Sequence, residues 1–488
     1  MKKHLCLFGL ISLVFIFGCN KQASDTSSDS LFKAEIGVFP AAVKYNLDLD
    51  LDYDKEKVFA DCKLTVRNPS DTPMDILPLI LYRLMDVDSV TDEEGNPLEF
   101  SQRVLKYEDW EQLQVNHIRI TLDPSLLPGE TKTVRLSYGG HLLGCTEAMR
   151  YVKDNVSKEY TMLRTDSNVY PRIGVNSWER NRKAGLGSFD YTLSITVPDS
   201  LIAASPGKLM SKTPADGMIT YTYQNLVSAW RMDLAVADFE ILEDTENKLK
   251  FFVLPEDHEG AVNLMAAMNN AMDLYREWFG PLKEFEGLTV IEVPEGYGSQ
   301  AAKEAIIQQA SGFRNQGNFY EFYHELAHLW QVESRDPMPA RFVSEGLAMF
   351  LQHFVQEKLE GKEGAPAEAV KVSLQRMEKY FADHPDTAEV PMIDYGNKQL
   401  TDLSYRMGQI LFYLLFDGMG ETVFLKTAGD FYQDFYETGA TARQFVDYFR
   451  DKSDLDLGRI FEEWVFSPKA AEILSSGITL DDLLARYR

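Results

Sequence analysis

The segment His324-Glu325-Leu326-Ala327-His328 decides how the second half of this chain is interpreted. On a helix the two histidines are four residues apart and lie one above the other, and Glu325 shares their side. Imidazoles at that separation can occupy two corners of a zinc tetrahedron, while the carboxylate between them holds a water molecule. The alternative is a pair of structural histidines on an amphipathic helix. That alternative does not explain why two of only eight histidines in the chain fall in one short segment.

A third zinc ligand is expected in the downstream segment Arg341-Phe-Val-Ser-Glu345-Gly-Leu-Ala348. Glu345, on a second helical segment, completes a site of two histidines and one glutamate and leaves the fourth position open for water. Its alternative interpretation is an exposed helical glutamate. Because the apolar residues Phe342, Leu347 and Phe350 flank it on a helix that should be half-buried, the pattern favours Glu345 as the ligand.

The residues around these motifs have helical periodicity. The pattern predicts a helix over 263–279, which Gly280-Pro281 stops, then a strand over 288–293 and a further strand near 305–307. A block of helices follows. The helices predicted in that block span about 318–334, 341–359, 366–382, 402–417, 421–436, 440–450 and 456–466.

Upstream of residue 246 the pattern alternates with period two instead. Apolar Tyr45, Leu47 and Leu49 alternate with polar residues, and similar runs recur up to about residue 223. Many short strands separated by turn signals predict an all-β sandwich or saddle over 36–245. The expected fold class is therefore multidomain α+β, with a catalytic domain over 246–488 that combines a small sheet with a helical block.

Composition excludes several classes of protein. The chain has 488 residues and a net charge of −26, from 75 acidic and 49 basic residues. Such an acidic surface repels phosphate backbones, so nucleic acid is not an expected partner. Four cysteines exclude a disulfide scaffold and a multi-cysteine zinc fold. Cys62 and Cys145 are expected either as a disulfide or as lone buried thiols.

The first residues are typical of an export signal. A basic start is followed by an apolar stretch too short to span a bilayer comfortably, which ends in Gly18-Cys19. This junction resembles the lipobox of bacterial lipoproteins, although Phe17 departs from the usual small residue. We expect a signal peptide over 1–19, a lipid on Cys19, a flexible tether over 20–35 and a location in the cell envelope. Plain secretion and a retained anchor are the alternatives.

Taken together, the motifs resemble the aminopeptidase N family of gluzincin metallopeptidases. His-Glu-Leu-Ala-His followed by Ser-Glu-Gly-Leu-Ala carries the resemblance, and Val134-Arg-Leu-Ser-Tyr-Gly-Gly140 is similar to that family's N-terminal saddle. Tyr405-Arg-Met-Gly408 is similar to the stretch with the family's transition-state tyrosine. The resemblance implies a thermolysin-like catalytic domain, one zinc ion per chain, Glu325 as general base and Tyr405 as a hydrogen-bond donor to the oxyanion.

Two features depart from the family. The spacing between His328 and Glu345 is shorter than usual, which a shorter connection can absorb. The family's Gly-x-Met-Glu-Asn strand, which binds a free α-amine, is replaced by Gly298-Ser299-Gln300-Ala301. We expect these four residues to form an edge strand that binds substrate through backbone groups. They supply no carboxylate for an ammonium group, and Glu304 is a weak candidate substitute.

The predicted function is that of an extracytoplasmic zinc metallopeptidase, which hydrolyses peptide bonds of a peptide or protein with a zinc-activated water. The alternatives are a peptide- or protein-binding lipoprotein that keeps the fold with little or no turnover, and hydrolysis of a non-peptide substrate in the same site. The intact Glu325 argues against a pure binding protein, and the missing amine-binding carboxylate argues mildly for one.

Overall fold

The computed structural model describes residues 37–184, 187–302, 304–452 and 456–488. The predicted signal peptide (1–19, with Cys19) and the predicted tether (20–35) lie outside these residues. The elements below belong to the unit Val38–Arg488. None of the helices within the described ranges combines the length and the apolar character needed to cross a bilayer.

The first part of the chain is built from strands, as the period-two pattern predicts. These strands are β1 Ala41–Asp52, β2 Lys57–Arg67, β3 Met74–Tyr82, β4 Met85–Thr91, β5 Phe100–Lys106, β6 Gln114–Leu126, β7 Thr131–His141, β8 Thr161–Leu163, β9 Arg172–Ile173, β10 Asp190–Pro198, β11 Ile202–Ala204, β12 Lys208–Ala215, β13 Met218–Gln224 and β14 Leu234–Ala237.

Two sheets of this part form a sandwich. Within the described residues, seven strands pair in the order β12-β13-β10-β1-β2-β7-β4 and four in the order β5-β6-β3-β9. Leu47 and Leu49 of β1 face inward while Asp48 and Asp50 are exposed, which is the alternation expected of a half-buried strand. Leu47 shares one apolar core with residues of β3 and β6, so the two sheets pack face to face.

Cys62 and Cys145, the two cysteines among the described residues, are not bridged. Cys62 lies in the core of this sandwich and Cys145 lies in a separate apolar cluster, and both are free buried thiols. Of the two possibilities left open by the sequence, the structure has the lone buried thiols.

A separate five-stranded sheet packs against the helical part of the chain. The remaining strands are β15 Glu240–Asp244, β16 Leu249–Val253, β17 Leu288–Val293, β18 Gln300–Ala302 and β19 Ala305–Gln309. They pair in the order β15-β16-β17-β19-β18, where β16, β17 and β19 are parallel and β15 and β18 are antiparallel to their neighbours.

Both faces of this five-stranded sheet are covered. Phe251 and Val290 share a core with α2 (His258–Phe279), while the alternate residues Phe252 and Ile291 pack against the small sheet β11-β14-β8. Sheets buried on both faces have nearly continuous apolar strands, and each residue of β17 is buried.

Helices account for most of the chain beyond residue 310. The α-helices are α1 Trp178–Ala184, α2 His258–Phe279, α3 Ser311–Arg314, α4 Phe319–Ala327, α5 Leu347–Glu360, α6 Ala365–Asp383, α7 Leu403–Met419, α8 Glu421–Phe435, α9 Ala442–Asp451, α10 Gly458–Phe461, α11 Lys469–Ser475 and α12 Leu480–Tyr487. The shorter turns are 3₁₀ at Thr165–Ser167, Pro255–Asp257, Gln316–Asn318, His328–Trp330, Thr387–Glu389 and Met392–Asp394, and π at Phe342–Gly346 and Glu462–Phe466.

This architecture confirms the α+β fold class, but three details of the helical block differ from the prediction. The helix predicted over 318–334 ends by Trp330, because the backbone becomes extended at Gln331. The helices predicted over 341–359 and 456–466 each contain a π turn. The last two helices were not predicted, although Thr479 accepts a hydrogen bond from the backbone of Asp482 and so caps the final one.

Candidate metal centre

The two histidines of the motif lie at the end of α4. This helix buries Phe322, Tyr323 and Leu326, which directs the His324 side toward the neighbouring helices. The α-helical pattern stops at Ala327 and His328 opens a 3₁₀ turn, yet the two imidazole rings stay adjacent with centroids 4.8 Å apart.

Two long-range hydrogen bonds anchor this segment to α2 and to Gly280, the residue that follows α2. The Tyr275 hydroxyl donates to the carbonyl of Tyr323 at 2.7 Å, and the Trp330 indole donates to the carbonyl of Gly280 at 2.9 Å. The histidine pair is therefore held from both sides by a helix that is itself packed on the sheet.

Glu345 reaches the histidines from a π turn. Arg341 adopts a left-handed backbone with φ of 65°, and the π turn Phe342–Gly346 follows immediately. Such turns are rare and are frequent at functional sites. The Oε2 atom of Glu345 lies 3.3 Å from Nε2 of His324 and 3.5 Å from Nε2 of His328.

Close backbone contact holds this π turn against α7. A Cβ atom added to Gly408 would lie 2.6 Å from Cα of Gly346, a distance that carbon atoms do not tolerate. The Ser404 hydroxyl also donates to the carbonyl of Ala340, and the Gln409 amide donates to the carbonyl of Met349 at 3.0 Å. These contacts fix the position of Glu345 relative to the N-terminal half of α7.

The arrangement fits a divalent metal ion. His324, His328 and Glu345 each offer a ligand atom within 4.8 Å of the others. The Oε2 atom of Glu345 is buried and accepts no hydrogen bond from the described residues, although two imidazole nitrogens face it. A buried carboxylate oxygen without a hydrogen-bond partner is costly, and a cation bound between it and the two imidazole nitrogens would compensate that cost. Two imidazoles and one carboxylate form the donor set of a catalytic zinc site.

The pKa of Glu345 is consistent with this role. Burial alone would raise that pKa, but contacts with His324 and His328 and the charge of Arg341 hold it well below its usual range. The side chain is therefore a carboxylate, which is the form that binds a metal.

A series of polar side chains contacts His324 at Nδ1, the ring nitrogen that does not face Glu345. Its Nδ1 atom lies 3.0 Å from Oε1 of Gln352, and because an amide oxygen can only accept, Nδ1 donates and Nε2 keeps its electron pair. The Gln352 amide nitrogen lies 2.9 Å from Nε2 of His353, whose Nδ1 lies 3.0 Å from Oε1 of Gln356. Such partners fix the orientation of metal-binding histidines.

The two predicted catalytic side chains border the same centre. Burial raises the pKa of Glu325 to about 7, and nearby Glu345 contributes to this rise. The Tyr405 ring is parallel to the His324 ring at 6.2 Å between centroids. Burial and the negative charge of Glu345 raise the pKa of Tyr405 well above its ordinary value, so its phenol keeps a proton to donate.

The predicted substrate-binding segment lies at a sheet edge. Gln300 and Ala301 belong to β18, which pairs with β19 on one side, and no described strand pairs with it on the other. Gly298 and Ser299 precede the strand in irregular backbone, so the predicted edge strand begins only at Gln300. Gly298 has φ of 73° with Tyr151 packed against it.

The Gln300 side chain faces the sandwich side of this strand. Its Oε1 accepts from Arg231 at 2.6 Å and its amide nitrogen lies 3.3 Å from Asp166. Since these contacts occupy both ends of the amide, Gln300 offers a ligand its backbone rather than its side chain. Glu304 is buried and its Oε2 accepts from the backbone of Leu226 at 2.7 Å.

Sequence reasoning missed two side chains of the centre, Gln352 and Arg341. Gln352 is seven residues after Glu345, two helical turns along the same face, and this spacing was an available signal. Arg341 is four residues before Glu345 and its guanidinium contacts Oε1 of that residue, which is a helical spacing as well.

Solved structures with a similar fold include M1 zinc metallopeptidases. One from Deinococcus radiodurans is 17% identical, with a TM-score of 0.63 over 88% of this chain and 94% of that chain. A mutant form of the Deinococcus radiodurans protein, bound to a Tyr-Ser-Ala substrate, is 16% identical over the same shares, also with a TM-score of 0.63. A two-domain M1 zinc metallopeptidase mutant bound to L-arginine is 17% identical, with a TM-score of 0.60 over 91% of this chain and 95% of that chain.

These similarities show that the chain has the two-domain M1 metallopeptidase fold, in agreement with the predicted fold class. No protein-family model matches the chain, and no curated protein matches it by sequence.

Proposed function

We propose that this protein is a zinc-dependent peptidase that works outside the cytoplasm and is tethered to a membrane through a lipid on Cys19. The observation that carries the enzymatic part is the convergence of His324, His328 and the orphaned Oε2 of Glu345. The fold supports it, since the similar solved proteins are described as zinc metallopeptidases and one of them holds a Tyr-Ser-Ala substrate. The location rests on the N-terminal sequence alone.

The roles of the side chains follow from their chemistry. A zinc ion held by His324, His328 and Glu345 would act as a Lewis acid that polarises a carbonyl and acidifies water. Glu325 accepts the proton of the attacking water and passes it to the leaving amine. Tyr405 keeps its proton and donates a hydrogen bond to the oxyanion that develops on the scissile carbonyl.

The edge strand β18 would orient the substrate. An extended peptide added to an unpaired strand edge is bound by main-chain hydrogen bonds, which do not require particular side chains. Because Gly298–Ala301 offers no carboxylate, we do not assign specificity for a free α-amine, and the proposed substrate class is an extended peptide.

The test measures zinc content and hydrolysis together. The purified full chain should bind one zinc ion by elemental analysis and cleave members of a peptide library in a chelator-sensitive manner. Glu325→Gln should keep the zinc and lose turnover by about 10²–10⁴-fold, because only the base is removed. Wild-type hydrolysis by this variant would refute the role of Glu325. A chain that binds zinc and peptides but cleaves none would instead be the binding lipoprotein.

A further inference from the structure

The edge strand β18 contacts the elements of the metal centre on one side. It lies against α4 and the 3₁₀ turn His328–Trp330, which carry His324 and His328. Its neighbour β19 is joined to α4 as well, because the Gln308 amide donates to Glu321 at 2.9 Å. The strand that we propose for substrate binding is therefore adjacent to the segment that carries two of the metal ligands.

On its other side, β18 contacts a buried charged cluster of the N-terminal region, the part of the chain that holds β1–β14. The Arg231 guanidinium donates to Oε1 of Gln300 at 2.6 Å and to Oδ2 of Asp166 at 3.0 Å. The Gln300 amide nitrogen donates to the same Asp166 oxygen at 3.3 Å. Gln300 thus closes a ring of hydrogen bonds with one cation and one anion.

Arg231 is itself fixed by buried contacts. Its Nε donates to one oxygen of Asp233 at 2.5 Å and its Nη2 donates to the other at 3.0 Å. Asp233 also accepts from the backbone of Thr165 at 3.2 Å. The side chains of Arg231 and Asp233 are only 5% and 2% exposed, so water does not replace these bonds at low cost. The guanidinium is therefore a fixed donor for Gln300.

The loop before β18 is held by the same region. Arg164 pairs with Asp154 at 2.6 Å and donates to the carbonyl of Tyr297 at 2.9 Å. A Cβ atom added to Gly298 would lie 2.9 Å from Cβ of Tyr151, so the loop and the N-terminal region are in close contact here. The N-terminal region thus restrains both the loop and the first residue of the strand.

These restraints matter because β18 is short. It pairs with β19 over three residues, Gln300–Ala302, so strand pairing by itself restrains it weakly. A peptide added to its outer edge would be bound by main-chain hydrogen bonds, which weaken steeply when donor and acceptor are misaligned. The affinity for such a peptide therefore depends on how firmly the backbone of β18 is held.

We propose that Arg231 is a positioning residue for the peptide substrate: by holding Gln300, it fixes the outer edge of β18 beside the metal centre. This inference rests on the proposed peptidase function and deepens it by assigning part of substrate binding to the N-terminal region. Arginine is suited to the role because its several planar donors bind Asp233, Asp166 and Gln300 at once.

The experiment measures kcat and KM of the zinc-loaded full chain on an extended peptide that the wild type cleaves. Gln300→Leu removes both contacts of the amide, and Arg231→Lys keeps the charge but loses the planar donors. Each should raise KM by about tenfold while kcat and zinc content stay near the wild-type values, because binding is weakened and the catalytic side chains are untouched.

The matched control is Gln102→Leu. Gln102 also lies in the N-terminal region with both ends of its amide bonded, since Oε1 accepts from the backbone of Val87 at 2.9 Å and the nitrogen donates to the Val87 carbonyl at 2.8 Å. Gln102→Leu should lose stability in thermal unfolding and keep the wild-type KM. An unchanged KM in Gln300→Leu, or an equal rise of KM in Gln102→Leu, would overturn the positioning role. If Arg231→Lys does not fold, Gln300→Leu decides.

Failure of the peptidase function would be seen separately, as absence of cleavage of every peptide by the zinc-loaded wild type. The dissociation constant of the same extended peptide is then measured by fluorescence polarisation. Binding that is about tenfold weaker in Gln300→Leu and unchanged in Gln102→Leu still supports the positioning role. Equal affinity of Gln300→Leu and wild type, or no binding by the wild type, overturns it.

Discussion

Replacing Gly408 with alanine tests whether the contact between Gly408 and Gly346 fixes the position of Glu345 in the metal centre. Gly408 on α7 and Gly346 in the π turn meet backbone to backbone, and Tyr405 and Glu345 lie within one helical turn of this contact. In an unconstrained helix the same substitution stabilises the fold by about 1 kcal/mol, since alanine is the better helix former. A rise in the free energy of unfolding would therefore show that helix propensity dominates, whereas a fall would show that the packing clash dominates.

The size of the clash follows from the structure. The new methyl carbon would lie 2.6 Å from Cα of Gly346 and 3.0 Å from the carbonyl oxygen of Phe342. Carbon atoms prefer about 3.5–4.0 Å, so α7 and the π turn must separate by about 1 Å. Overpacking of this kind costs about 1–3 kcal/mol, which exceeds or cancels the gain in propensity. A displacement of about 1 Å at a catalytic centre lowers kcat/KM by about 100-fold.

Three measurements on Gly408→Ala check this reasoning: urea unfolding, zinc affinity by competition with a chelator, and kcat/KM on a peptide. The matched control is Gly429→Ala on α8, where a Cβ atom would lie 2.5 Å from the carbonyl oxygen of Trp278. Both variants should lose stability, but only Gly408→Ala should also lose zinc affinity and activity. Wild-type stability, zinc affinity and kcat/KM in Gly408→Ala would refute the claim that the glycine contact sets the position of Glu345.

The remaining predictions concern single side chains of the centre. Glu345→Ala should bind zinc much more weakly, by more than the roughly 10–100-fold typical of losing a supporting residue, and unchanged zinc stoichiometry would exclude Glu345 as a ligand. Tyr405→Phe should lower kcat by about 10²–10³-fold with zinc retained, and wild-type kcat would return Tyr405 to a packing role. Gln352→Leu should lower zinc affinity by about 10–100-fold, because His324 loses the partner of its Nδ1; equal affinity in equilibrium dialysis would count against that support.

Much of the fold is predictable because its signals are local. Alternation in β1 places Leu47 and Leu49 inside and Asp48 and Asp50 outside whatever the strand pairs with. Four-residue spacing likewise puts His324 and His328 on one side of a helix, and the structure keeps their rings 4.8 Å apart although the α-helix ends between them. The ends of the helices were less predictable, since Gln331 is extended in a region with helical periodicity.

The sequence contains no local pattern that predicts the π turn at Phe342–Gly346. A π turn differs from an α-helix by one residue in its hydrogen bonding, which a hydrophobic pattern does not record. It depends instead on the contact between Gly346 and Gly408, two residues far apart along the chain. The roles of Gln352 and Arg341 depend on the direction in which this turn presents Glu345.

The local periods follow from the amino-acid order alone: strands before about residue 245, helices after residue 318, and two histidines with a glutamate on one helical face. Tertiary structure decided which distant groups meet these elements. It brought Glu345 to within 3.5 Å of both imidazoles, placed the Gln352 amide against Nδ1 of His324, and left Cys62 and Cys145 unbridged. The physical reason is that a repeat in sequence specifies which residues share a face, whereas close approach between faces is set by the packing of the whole core.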